Sequence, residues 1–123
     1  MSKPRILIID DESSIRDALE SWFSLHGFDV DVAQNGAEGV RMVSAQRYAV
    51  VVMDLEMPTM GGVQATHEIK AVDPGLPIVA VSGFSESVED VIKAGASKFI
   101  SKPLRLQELE GEVRLVMRDD AKE

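Results

Sequence analysis

Carboxylates stand directly after two short apolar runs of the sequence. Asp10 and Asp11 follow the apolar residues 6–9, and Asp54 follows the apolar residues 50–53. Two carboxylates about 4 Å apart repel each other by about 4 kcal/mol at an effective dielectric constant near 20. A hard cation relieves that repulsion, and an oxygen-only site with few protein ligands suits Mg²⁺, which keeps waters and accepts phosphate oxygens. If these three carboxylates meet, they predict a magnesium site.

A hydroxyl and an amine follow two further short segments, of which the first is apolar. Ser82 comes after residues 78–81, and Lys102 comes after residues 98–101. A serine hydroxyl can donate a hydrogen bond to an anion, and a lysine ammonium supplies a positive charge for it. Singly, such residues more often cap helices or lie in solvent. Together with a carboxylate nucleophile and a hard cation, they suit phosphoryl transfer to an aspartate.

The apolar runs themselves indicate the elements that would position these side chains. Residues 6–9, 50–53 and 78–81 are mostly β-branched and lack polar alternation, which is typical of strands buried on both faces. Residues 28–32 alternate and suit an edge strand, and residues 98–101 form a short fifth candidate. Five strand–helix repeats predict an α/β, flavodoxin-like, doubly wound sandwich with a parallel sheet in the order 2-1-3-4-5. In that order, strands one and three lie at the topological switch point.

Helical periodicity separates the predicted strands. Stop or start signals stand at His26-Gly27, Asn35-Gly36, Asp73-Pro74-Gly75 and Ala94-Gly95, and Pro103 is expected to open the last helix. The third helix has Thr59 and Gly61 ahead of it and therefore no strong side-chain cap. The residues expected to face the core recur at three- and four-residue spacing: Ile15, Ala18, Leu19, Trp22 and Phe23; Val40 and Val43; Val63, Thr66 and Ile69; Val88, Val91 and Ile92; Leu106, Leu109, Val113 and Val116.

Composition restricts the classes of function. The 123 residues fit a single domain with a core of about residues 4–118, followed by a polar tail or the start of a linker at 119–123. The chain has no cysteine, so disulfides and thiolate metal ligands are excluded. A net charge of −8 argues against nucleic-acid binding by this chain itself. The sequence contains neither an apolar run approaching a membrane span nor a signal peptide, so we expect a cytoplasmic protein.

Five short motifs together resemble a response-regulator receiver domain. They are IDDE at residues 9–12, MDLEMP at 53–58, VSG at 81–83, AGA at 94–96 and SKP at 101–103. The resemblance covers about residues 4–118, nearly the whole chain. It implies a phosphorylation-dependent signalling switch of a two-component system or phosphorelay, which catalyses only its own phosphorylation and dephosphorylation.

The resemblance also implies a role for each acid. Asp54 would accept a phosphoryl group from a phosphohistidine of a sensor histidine kinase or a histidine phosphotransfer protein. Asp11, Asp54 and the backbone carbonyl of Glu56 would bind Mg²⁺, with Mn²⁺ as a plausible substitute, and Asp10 would act largely through bound water. Lys102 would pair with the phosphoryl group.

Other implied roles concern the switch and its output. Ser82 would move to hydrogen-bond the phosphoryl group, and Phe99 would hold the aromatic switch position, where many relatives carry tyrosine. Receivers tend to have a cis peptide bond at the position of Pro103. The surface around helix 4, strand 5 and helix 5 would change toward a downstream effector or a phosphorylation-dependent homodimer. Because Glu56 and Phe84 follow the strands beside the acceptor, we hypothesise that they tune the lifetime of the phospho-aspartate.

Three other functions compete with this interpretation. An aspartyl-phosphate hydrolase of the haloacid-dehalogenase kind also uses a strand-end aspartate and Mg²⁺, but it needs a second aspartate where this chain has Glu56. A binding-only pseudo-receiver would lack the complete acidic set with Ser82 and Lys102. A flavodoxin-type flavin binder would need a Ser/Thr/Gly-rich phosphate loop after the first strand.

Overall fold

The protein is a three-layer α/β domain in which five strands alternate with five helices. The computed structural model describes residues 2–83 and 88–119. Within these residues the elements are β1 (Arg5–Ile9), α1 (Ser13–Leu25), β2 (Asp29–Ala33), α2 (Gly36–Ala45), β3 (Val50–Asp54), α3 (Gly62–Val72), β4 (Ile78–Ser82), α4 (Val88–Ala94), β5 (Lys98–Ser101) and α5 (Leu106–Val116).

The strands form one parallel sheet in the order β2-β1-β3-β4-β5. The predicted fold and strand order are therefore confirmed. In the register of the sheet, Ile9 pairs with Met53, and Asp54 pairs with Val81. These pairings bring the ends of β1, β3 and β4 to one edge, at the point where the strand order reverses.

Two apolar layers cover the sheet because successive side chains of each buried strand point to opposite faces. Val51 and Met53 of β3 pack in the cluster that contains residues of α2, α3 and α4. Val50 and Val52 pack in the cluster that contains residues of α1 and α5. The sheet is thus held rigidly from both sides, which fixes the positions of the residues at its edge.

Helix α2 packs closely on β1 at Gly39. A Cβ at Gly39 would collide with the side chain of Ile9. The amino terminus of the same helix is capped, since Asn35 accepts a hydrogen bond of 2.8 Å from the Glu38 backbone N–H. In contrast, Gly61 precedes α3 without a side-chain cap, as the sequence predicts.

Four expectations about the helices are wrong. Ala18 of α1 and Ile92 of α4, which the helical periodicity places on the core face, are both exposed. Pro103 does not open the last helix, because Leu104 and Arg105 intervene and α5 begins at Leu106 with Arg105 as its N-cap. Ile15 belongs to the apolar stripe of α1, yet it is 41% exposed. The first turn of α1 extends past the layer that covers the sheet, so the apolar periodicity of Ile15 does not correspond to burial.

Polar contacts join the helices at the end of the domain opposite the acidic residues. Trp22 of α1 donates a hydrogen bond of 3.0 Å to Glu110 of α5. Arg118 donates hydrogen bonds of 3.0 and 2.6 Å to the two oxygens of Asp73, and one of 3.0 Å to the Tyr48 carbonyl. Among the described residues, no helix is long and apolar enough to cross a membrane.

Candidate functional site

Three carboxylates meet at the edge of the sheet. One oxygen each from Asp10, Asp11 and Asp54 can lie within 4.8 Å of the others. Asp10 and Asp54 are buried, at 5% and 4% exposure, whereas Asp11 is exposed. The sheet register explains this convergence, since the adjacent strands β1 and β3 end side by side.

Backbone N–H groups hold the two buried carboxylates. The Asp10 carboxylate accepts a hydrogen bond of 2.9 Å from the N–H of Glu12, two residues later. The Asp54 carboxylate accepts one of 3.0 Å from the N–H of Glu56, again two residues later. Both strands therefore end in the same local hydrogen-bond pattern, in which a backbone N–H two residues later holds the carboxylate.

The negative charge of this cluster is unfavourable. Burial raises the pKa of Asp54 to about 6, and the neighbouring charge of Asp10 acts in the same direction. Burial likewise raises the pKa of Asp10 above its ordinary value. Close, desolvated carboxylates of this kind are stabilised when a cation binds between them. The oxygen-only donor set of Asp10, Asp11 and Asp54 therefore fits a hard divalent cation such as Mg²⁺.

Lys102 contacts the Asp54 carboxylate. Its Nζ is 3.3 Å from Asp54 Oδ1 and 3.5 Å from Glu56 Oε1. Burial opposes the charge on Lys102, but the nearby carboxylates outweigh it and raise the pKa above its ordinary value. The backbone N–H of Lys102 donates to the Ser82 carbonyl at 2.9 Å, so the lysine is anchored to the end of β4.

The side chain of Glu56 points toward Ser82 and Lys102. The buried Ser82 hydroxyl donates a hydrogen bond to Glu56 Oε2. The Gly83 N–H lies 3.1 Å from the same oxygen and 3.3 Å from Oε1. Burial opposes ionisation of Glu56, but these donors together with Lys102 outweigh it and lower the pKa below its ordinary value. From the sequence, Glu56 is a candidate metal ligand through its backbone carbonyl and a candidate for tuning the lifetime of a phospho-aspartate; nothing in the sequence predicts these side-chain contacts.

The loop after β3 turns back tightly beside Asp54. A Cβ on Gly62 would lie 2.6 Å from Leu55 Cα and 2.8 Å from the Asp54 carbonyl oxygen. Real Cβ atoms essentially never approach other atoms so closely, so only glycine fits this position. The backbone of residues 54–56 is therefore positioned by direct packing against the start of α3.

An apolar groove between α1 and α5 leads to the acidic cluster. It has a volume of about 560 Å³, and Asp10, Asp54 and Lys102 contribute to its lining. Its apolar lining comes from both helices, the neighbouring strands and the segment before α5; it includes Ile8, Ile15, Ala18, Val52, Leu104 and Leu106. The exposure of Ile15 reflects its position in this groove.

The remaining candidate residues are Pro103, Phe99 and Phe84. The Lys102-Pro103 peptide bond is cis. Phe99 on β5 is half-buried and packs against the core cluster that includes residues of α3 and α4. Phe84 lies outside the described residues. Asp10, Asp11, Asp54, Ser82, Glu56 and Lys102 are the predicted residues that the fold brings to one edge of the sheet.

Known proteins share both the sequence pattern and the fold. The family model described as the response regulator receiver domain matches residues 6–114. The transcriptional regulatory protein PrrA of Mycobacterium leprae is 36% identical over 121 residues, which cover 96% of this chain and 52% of that protein. This chain thus spans about half the length of this curated relative.

Two solved structures show the same architecture at low sequence identity. The response regulator TrrA of Thermotoga maritima, in complex with Mg(2+)-BeF, is 28% identical with a TM-score of 0.84, over 94% of this chain and 99% of that one. The receiver domain of a sensor histidine kinase from Pseudomonas aeruginosa PAO1, with a magnesium ion coordinated in the active-site cleft, is 26% identical with a TM-score of 0.86, over 94% and 98%. Since the family model covers most of the chain and the fold agrees, the chain belongs to the response regulator receiver domain family.

Proposed function

We propose that this domain is a phosphorylation-dependent switch whose acceptor is Asp54. The observation that carries the proposal is the position of the buried Asp54 carboxylate, which lies between two further acids and the Lys102 ammonium, 3.3 Å away. An acid-rich site that also holds a lysine suits a reaction in which a carboxylate nucleophile receives an anionic group.

The donor would be a phosphohistidine of a sensor histidine kinase or a histidine phosphotransfer protein. An Asp54 carboxylate oxygen attacks phosphorus, a P–O bond forms and the P–N bond breaks. The electron pair of the broken bond stays on the imidazole nitrogen, which takes up a proton. Lys102 balances charge on the transferred oxygens, and Ser82 offers its hydroxyl to one of them.

Asp11, Asp54 and the backbone carbonyl of Glu56 would hold Mg²⁺, or Mn²⁺ in its place, and Asp10 would act through bound water. The cation supplies positive charge that neutralises the carboxylates and the phosphoryl oxygens. Support comes from the fit of the three carboxylates to a hard cation, and from the relatives whose structures contain magnesium or Mg(2+)-BeF.

The groove between α1 and α5 supports the proposed partner. It is apolar, it reaches Asp54, and Ile15 at its edge is 41% exposed. A kinase or phosphotransfer protein could place an apolar helix surface there while its phosphohistidine approaches the acceptor. The apolar lining favours a protein partner over a polar small molecule.

Output would pass through the surface of α4, β5 and α5 to an effector domain or protein, or into a homodimer formed on phosphorylation. Phe99 lies on β5 and would be the aromatic residue that reorients. We further propose that residues 1–123 form a single cytoplasmic domain that does not itself bind nucleic acid and catalyses only its own phosphorylation and dephosphorylation.

Incubation with acetyl phosphate and Mg²⁺, followed by intact mass spectrometry, tests the acceptor. We expect one phosphoryl adduct that is lost in Asp54→Ala and in excess EDTA, and retained in the control Asp17→Ala, which changes an exposed acid of α1. A parent protein without an adduct would exclude the receiver function and favour the binding-only alternative. Sustained hydrolysis of p-nitrophenyl phosphate would instead favour the hydrolase.

A further inference from the structure

The carboxylate of Glu56 gathers three hydrogen-bond donors beside the acceptor. These donors are the Ser82 hydroxyl, the Gly83 N–H at 3.1 Å and the Lys102 ammonium at 3.5 Å. Ser82 is fully buried, and the Glu56 side chain is 31% exposed. The carboxylate therefore occupies a defined, partly buried position.

The same donors face the place where a phosphoryl group on Asp54 would lie. Lys102 Nζ contacts both Asp54 Oδ1 and Glu56 Oε1, so the two carboxylates share one ammonium. Ser82 and Gly83 follow directly along β4, whose Val81 pairs with Asp54. A phosphoryl group attached to Asp54 and the Glu56 carboxylate would thus compete for the same positive and hydrogen-donating groups.

We infer that Glu56 is an internal competitor for the phosphoryl-binding subsite, and that the phosphoryl group must displace its side chain. The inference rests on the proposed function. Carboxylates and phosphoryl oxygens are both anionic acceptors, so a hydroxyl or N–H that donates to one is not available in the same direction to the other. Displacement of the Glu56 side chain also moves its negative charge away from that of the phosphoryl group.

Loss of the Glu56 side chain should therefore strengthen anion binding at Asp54. A charge-assisted hydrogen bond that no longer has to be broken corresponds to about a tenfold gain in affinity. In Glu56→Gln the amide oxygen can still accept from Ser82 and Gly83, but the charge is gone, so the gain should be smaller than in Glu56→Ala.

Fluoroberyllate binding at saturating Mg²⁺, measured by calorimetry, tests this ranking. We expect Glu56→Ala to bind about tenfold more tightly than the parent. We expect Glu56→Gln to be intermediate, and Glu20→Gln, which removes the same charge from an exposed position of α1, to equal the parent. Acetyl phosphate should phosphorylate the variants in the same order. Equal or weaker fluoroberyllate binding by both Glu56 variants would overturn the inference.

A metal-free measurement keeps the two proposals distinguishable. In the parent, the Gly83 amide proton should resonate downfield because it donates to Glu56, and it should move upfield in Glu56→Ala but not in Glu20→Gln. An unmoved Gly83 resonance would refute the contact itself. A parent that accepts phosphate while its Glu56 variants behave identically would overturn the competition alone, whereas a parent that accepts none would overturn both proposals.

Discussion

Replacement of Asp54 by asparagine should stabilise the metal-free domain at neutral pH. Burial raises the pKa of Asp54 from 3.8 to about 6, so the folded protein binds this proton more tightly than the unfolded chain does. A carboxyl group with a raised pKa contributes stability on the acidic side, and this contribution is lost as the pH rises from about 4 to about 6. Asparagine resembles the protonated carboxyl and cannot ionise.

The size of the effect follows from the two pKa values. A difference of one pH unit in a pKa corresponds to about 1.36 kcal/mol, so the rise in the pKa of Asp54 on folding amounts to about 3 kcal/mol of unfolding free energy at pH 7.5. At pH 5 the folded carboxyl is mostly protonated already, and the expected gain falls to roughly half of that. Because Asp54 is only 4% exposed, solvent screening reduces these figures little.

Urea unfolding in EDTA, followed by the fluorescence of Trp22, measures the gain. Trp22 is the single tryptophan and stacks on His26 with ring centroids 4.2 Å apart, so unfolding changes its surroundings. Asp17→Asn is the matched control at an exposed position and should change stability by less than about 0.5 kcal/mol. Saturating Mg²⁺ should narrow the gap between parent and variant. The electrostatic reasoning fails if Asp54→Asn is no more stable than the parent at pH 7.5, or if its gain is the same at pH 5.

Two further predictions concern packing and a partly buried ion pair, and both are checked by chemical unfolding. Gly39→Ala should lower stability by about 1–3 kcal/mol because its Cβ meets Ile9, whereas Gly111→Ala, in open space within α5, should raise it by about 0.5–1 kcal/mol. Equal effects of the two changes would contradict the packing of α2 on β1. Arg118→Ala should cost about 1–3 kcal/mol because it removes two hydrogen bonds to the Asp73 carboxylate and one to the Tyr48 carbonyl. A loss no larger than that of an exposed arginine would refute a structural role.

The fold could be predicted because its signal is spread over many residues. Three uninterrupted apolar runs specify buried parallel strands, and the alternating run at residues 28–32 specifies an edge. The acids meet because the ends of parallel strands share an edge, which needs only the strand order. The sequence predicts a start of α5 at Pro103 because proline favours the first position of a helix. In the structure the chain continues without helix through Arg105, and α5 begins at Leu106.

Side-chain positions in loops could not be predicted in the same way. Nothing in the sequence shows that Glu56 turns toward Ser82, because the direction of its side chain depends on where β4 places its donors. Ile15 shows a related limit. Helical periodicity identifies the face of α1 on which it lies, but the extent of the layer beneath that face is a tertiary property.

The backbone of residues 54 and 55 packs so closely on Gly62 that a substitution at position 62 would alter the acidic site without changing any charge. A Cβ on Gly62 would collide with backbone atoms of Asp54 and Leu55. The next residue, Glu56, supplies the N–H that donates to the Asp54 carboxylate. A single methyl group at position 62 would therefore shift the Asp54 carboxylate and its hydrogen-bond donor together. For protein engineering, substitution of this glycine thus offers steric control over the geometry of the acidic site without a change of charge.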